Sequence, residues 1–105
     1  MAMTGVGAVD AELRGRLAYS RAGRDRGRPF LIVDVVDDKL VMVADGDLRK
    51  VANPKLKSLK HLRVTRMTAE GLRQRLARGE PLRDEDIRLE IAGLLEREER
   101  PGKEG

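Results

Sequence analysis

The chain has 105 residues, enough for one compact domain with a small addition and too few for two independent cores. Aromatic residues are only 2% of it, with one Phe, one Tyr and no Trp, so the core must be aliphatic, and the lack of cysteine excludes disulfides and thiolate metal sites. The net charge of +4 is unevenly placed: residues 11–66 hold 14 Lys/Arg against 7 Asp/Glu, whereas residues 67–105 hold 8 against 10, so the first part is the one suited to a polyanion.

No apolar run approaches the roughly 20 residues that span a bilayer, and the first residues lack the basic start of a signal peptide; a soluble, cytoplasmic protein without a membrane partner is the expectation. Residues 1–12 are Gly/Ala-rich, have little pattern and read as a flexible leader. Leu17 and Tyr19 alternate with Ala18 and Ser20 as a first strand. Arg21-Ala22-Gly23-Arg24-Asp25-Arg26-Gly27-Arg28-Pro29 then packs two glycines and four arginines into a tight basic turn. Phe30 to Val36 is apolar enough for a strand covered on both faces, and Asp37-Asp38 ends it in a turn. Leu40 to Ala44 reads as the third strand, with Asp45-Gly46 as a tight hairpin turn into a fourth at Leu48-Arg49-Lys50-Val51. Asn53-Pro54 is another turn, and Leu62 and Val64 mark a last short strand. Five short strands in such a span predict a small antiparallel barrel or a strongly curled sheet; with no crossover helices, a parallel sheet is excluded.

After Arg66 the period changes from two to that of a helix. Thr68 is placed to cap a helix carrying Leu72 and Leu76, and Gly79 with Pro81 stops it. Asp84 opens a second helix with an apolar stripe of Ile87, Ile91, Leu94 and Leu95, which must cover either the sheet or a partner. The expected organisation is a leader at 1–12, a β-module at 13–66, a two-helix appendage at 67–97 and a disordered tail at 98–105.

The run from Gly15 to Val33, with its Gly23/Gly27 turn between two apolar strands, resembles the KOW motif of large-subunit ribosomal proteins and NusG-type elongation factors. Val41 to Gly46 is similar to the strand and Asp-Gly turn that follow the motif in archaeal and eukaryotic ribosomal members, and Pro29-Phe30 replaces the third glycine of many others. The resemblance covers residues 13–66. It implies an SH3-like antiparallel barrel that binds ribosomal or other structured RNA, with ribosomal proteins as further partners; with the C-terminal helical hairpin read from residues 67–97, the whole chain is expected to be mainly β. It also implies that Arg24, Arg26 and Arg28 at the turn tip contact phosphates while Gly23 and Gly27 shape the turn. The residues alone say the same of exposed arginines on a rigid turn, which neutralise phosphates and displace counterions. Arg21 belongs to that turn, and Arg49, Lys50, Lys55, Lys57 and Lys60 extend the patch if the hairpin folds beside it; otherwise the lysines form a solvated face guarding a strand edge.

Sparse aromatics leave no platform for sequence-specific reading of single strands, so structured RNA is the expected class, with Tyr19 a core or rim residue. The single histidine, His61, has no partner suited to general-base work and reads as an exposed strand residue. The turn between Gly23 and Arg28 is too short for a P-loop, and the Asp37-Asp38 and Asp45/Asp47 pairs are ordinary turn residues. No catalytic constellation, metal site or cofactor is expected. The competing reading is a protein-interaction module using the barrel or the helical stripe.

Overall fold

A computed structural model describes residues 13–98; the predicted leader, and the predicted tail past Glu98, lie outside the described residues. Five strands form in chain order, β1 (Arg16–Ser20), β2 (Pro29–Val35), β3 (Leu40–Ala44), β4 (Lys55–Ser58) and β5 (Leu62–Thr68), followed by helices α1 (Glu70–Ala77) and α2 (Asp84–Glu98). They make one sheet in the order β4-β3-β2-β1-β5, with every neighbouring pair antiparallel. The fold is therefore mixed strand and helix rather than mainly β.

Alternation along the strands divides the core in two. Leu17, Leu31, Val33 and Ala44 face one side, where Ala69, Leu72, Ile87, Ile91 and Leu94 of the helical segment cover them. The predicted stripe on α2 thus packs on the outer face of the sheet. Ala18, Phe30, Ile32, Val41, Val43 and Leu62 face the other side and cluster with Leu59 and Val64. As predicted, β2 is covered on both faces.

The inner cluster is enclosed by curling of the sheet. β4 lies three strand steps from β1, about 14 Å in a flat sheet, yet Lys57 Nζ on β4 donates to Ser20 Oγ on β1 at 2.9 Å. Bulges between Arg16 and Ala18 and between Ile32 and Asp34 supply extra twist where the curl needs it. Of the two expected forms, a barrel or a strongly curled sheet, the structure has the curled sheet: β4 and β5 do not pair and remain its edges, so no barrel closes. A reversal of the chain would be needed to lay β5 beside β4. Instead the 3-10 turn Leu59–His61 carries the chain across: Leu59 N–H donates to Lys39 O at 2.8 Å, and Arg21 N–H to His61 O at 2.8 Å. His61 accordingly sits in that turn, exposed, and not in a strand.

The tight hairpin into a strand at 48–51 does not form. The Asp45 carboxylate accepts the N–H groups of Asp47 (2.9 Å) and Arg49 (2.8 Å), and Arg49 O accepts those of Asp45 and Gly46. Val51 N–H donates to Asp84 Oδ1 on α2 at 2.7 Å. With these groups taken, residues 45–54 are a loop, Leu48 is 61% exposed, and the fourth strand is the lysine-bearing segment at 55–58.

Thr68 ends β5 and does not cap α1, whose N-cap is Ala69 with no side-chain cap. The stop at Gly79 forms as expected: its N–H donates to Leu76 O and that of Glu80 to Arg75 O, the paired bonds of a Schellman end. Asp86 ties the helices together, accepting from Arg83 N–H at 3.0 Å and from Arg75 at 3.3 Å. The Arg83 bond, then that from Arg75 and its charge, hold the Asp86 carboxyl below the usual carboxylate range.

Candidate nucleic-acid interface

The basic turn is fastened at its base and shaped at its tip. Ser20 N–H donates to Arg28 O (3.0 Å) and Gly27 N–H to Ser20 O (2.7 Å), which closes the loop. Within it, Gly23–Asp25 forms a 3-10 turn, and Arg28 N–H returns to Asp25 O at 2.8 Å. Gly23 (φ +75°) and Gly27 (φ +83°) occupy the left-handed region, where a side chain is disfavoured. Both also look onto open space, so glycine is required here by backbone conformation alone.

This geometry separates the charges of Arg24-Asp25-Arg26. Arg24 and Arg26 are exposed, whereas Asp25 is 9% exposed and turned beneath the loop. There it meets Lys55 Nζ at 3.7 Å and Arg49 at 3.8 Å. The carboxylate is therefore answered from below and does not neutralise the tip. Arg24 has no hydrogen bond or ion pair among the described residues, and Arg26 uses only Nε, donating to Arg21 O at 3.3 Å. Arg21, Lys50 and Lys60 are also exposed.

Four expected contact residues are engaged elsewhere, Arg28, Lys57, Arg49 and Lys55. Arg28 leaves the tip to donate to Asp45 Oδ2 at 3.0 Å, with Asp47 at 3.7 Å. Its guanidinium anchors the turn to the 45–54 loop. Lys57 is 9% exposed and enters the inner side of the curl, so the lysines of 55–60 are not a uniform solvated face. Burial, assisted by the Lys55 charge and opposed by Asp25, lowers the Lys57 ammonium from the ordinary lysine value. Arg49 and Lys55 are half-buried under the turn.

Sequence reasoning missed Arg63. Tyr19 and Arg63 are direct partners across β1 and β5, and Arg63 Cζ lies 4.6 Å from the centroid of the Tyr19 ring, within cation–π range. With Arg21, Arg26, Ser20 and Gly27 they line an open groove of about 670 Å³ beside the basic turn. Leu62 and Val64 turn to the inner cluster, which leaves Arg63 between them facing outward, but only pairing with β1 reveals what it faces. Tyr19 is half-buried, a rim residue as expected, and its ring underlies an arginine.

Among the described residues no cluster of His, Asp and Glu is placed to hold a metal ion, and no helix is long and apolar enough to cross a membrane. No family model matches the chain, and no curated protein is detectably similar to it.

Proposed function

We propose that the chain is a KOW-type RNA-binding protein, contacting the backbone of ribosomal or other structured RNA through the 21–28 turn. The observation carrying this reading is the sorting of charge on a fastened loop: Arg21, Arg24 and Arg26 exposed, Asp25 turned under. Such a tip meets phosphates with little ordering of the loop left to do, and its affinity depends on counterion release. The curl that brings Lys57 to Ser20 supports reading the sheet as an SH3-like barrel. A ribosome-associated role in the cytoplasm goes with this reading, and it involves no catalytic step or cofactor. Of the two routes for the competing protein-interaction role, the barrel and the helical stripe, the stripe has less support, because Ile87, Ile91 and Leu94 are buried against the sheet.

The test is a titration against large ribosomal subunits over a range of salt. Replacing Arg21, Arg24 and Arg26 by Ala weakens binding and flattens the salt slope by about one unit per lost phosphate contact. Arg28→Ala leaves the slope unchanged, since its guanidinium is engaged by Asp45. Wild-type affinity in the triple variant removes the turn as the contact site.

A further inference from the structure

We infer that the groove beside the basic turn is a subsite for one unpaired nucleotide, whose base stacks on Arg63 while its phosphate meets Arg21 and Arg26. The inference rests on the RNA-binding reading and narrows its substrate class: structured RNA carrying a bulged or looped-out base, as opposed to uninterrupted duplex.

Three observations carry it. First, Arg63 is held over the Tyr19 ring at 4.6 Å by direct cross-strand pairing, so its cation rests on the ring and its position is set. β5 is an edge strand, Arg63 is exposed, and the Tyr19 ring is its only side-chain partner among the described residues, which leaves the guanidinium accessible to an incoming group. RNA bases stack on guanidinium planes as they do on aromatic rings. The sparse aromatics of the chain are therefore supplemented by a Tyr–Arg pair acting as one platform.

Second, the same groove is lined by Arg21 and Arg26, which places cations for a phosphate beside the platform. Arg26 has only its Nε engaged, leaving its terminal nitrogens to donate. Third, at about 670 Å³ the groove has room for a nucleotide, within the roughly 300–1,000 Å³ of ordinary ligand sites. Bases within a continuous A-form helix are stacked on their neighbours and present no face to such a platform. Only an unpaired nucleotide reaches it.

The experiment compares two short RNAs of the same length, a blunt duplex and that duplex with one bulged nucleotide, each titrated against the full chain. Tyr19 is the only tyrosine and there is no tryptophan, so intrinsic emission reports from the groove itself. Wild type prefers the bulged RNA by about ten-fold, the scale of one base stack, and Tyr19 emission changes with the bulged RNA alone. Arg63→Lys keeps the charge and loses the planar group; it abolishes the preference and leaves the salt slope unaltered. Arg63→Ala abolishes the preference and lowers the slope. Equal wild-type affinity for the two RNAs, or an undiminished preference in Arg63→Lys, overturns the subsite and leaves the turn as an RNA contact. Binding to neither RNA, with none to ribosomal subunits, overturns the RNA reading and the subsite with it.

Discussion

Gly46 and Gly27 look alike in the sequence, each a turn glycine beside a charged residue, and the structure assigns them different burdens. Both have positive φ, but a Cβ on Gly46 would collide with Asp84 O and lie 2.8 Å from Arg88 Cγ, whereas one on Gly27 meets open space. Arg88 also donates to Gly46 O at 2.6 Å, so this glycine is where the 45–54 loop docks on α2. Gly46→Ala is expected to lower stability by about 3 kcal/mol, combining strain and overpacking. Gly27→Ala costs about 1 kcal/mol from conformation alone. Thermal unfolding of the two variants measures the difference; equal losses mean that the loop shifts off α2 without cost. The same scale explains Arg28: its composition marks it as a phosphate ligand, and only the nearby Asp45 carboxylate redirects it.

At the scale of elements, α2 shows how far periodicity carries. Ile87, Ile91 and Leu94 are buried as the stripe requires, and Leu89, off the stripe, is 64% exposed. Ile87→Ala therefore leaves a cavity under the sheet and costs about 2–5 kcal/mol, while Leu89→Ala stays within about 0.5 kcal/mol of wild type. Urea denaturation distinguishes them, and similar midpoints for the two variants contradict the packing of α2 on the outer face. The fourth strand illustrates the opposite case. Residues 48–51 have the right pattern for a strand, yet Asp45 and Asp84 take the N–H groups that a ladder would use. Residues 55–58 looked like a polar face and pair with β3 instead, Lys57 opposite Val41.

For the whole molecule, the curl puts a lysine where an apolar residue would ordinarily pack. Lys57 has a lowered pKa in the fold and the ordinary 10.5 as reference for the unfolded chain. Between those two values the unfolded chain binds more protons than the folded one, so this group makes stability rise with pH across that window. Lys57→Met removes its contribution to that rise. At neutral pH the variant is at least as stable as wild type, because the buried charge is gone and Ser20 Oγ still donates to Ala22 O. Denaturation at pH 7 and pH 10 provides the comparison; the same pH response in both proteins excludes Lys57 as its source.

Local chemistry is legible in the sequence. The glycine spacing marks the basic turn, the two-residue alternation marks β1 and β5, the continuous apolar runs mark β2 and β3, and the helical stripe with its Gly79 stop marks the hairpin, because each depends on residues within a few positions of one another. Even the position of Asp25 between two arginines was visible, though not that it points beneath the turn to Arg49 and Lys55. Matters settled between distant segments waited for the tertiary structure: the open curled sheet in place of a closed barrel, the loop at 45–54, the capture of Arg28, the burial of Lys57 and the pairing of Arg63 with Tyr19. In the last three a charged side chain meets a partner 17 to 44 positions away along the chain, and the 45–54 loop is held both locally by Asp45 and by Asp84, 33 positions from Val51. A sequence pattern records what a residue prefers; which competing partner reaches it first is decided by how the sheet curls.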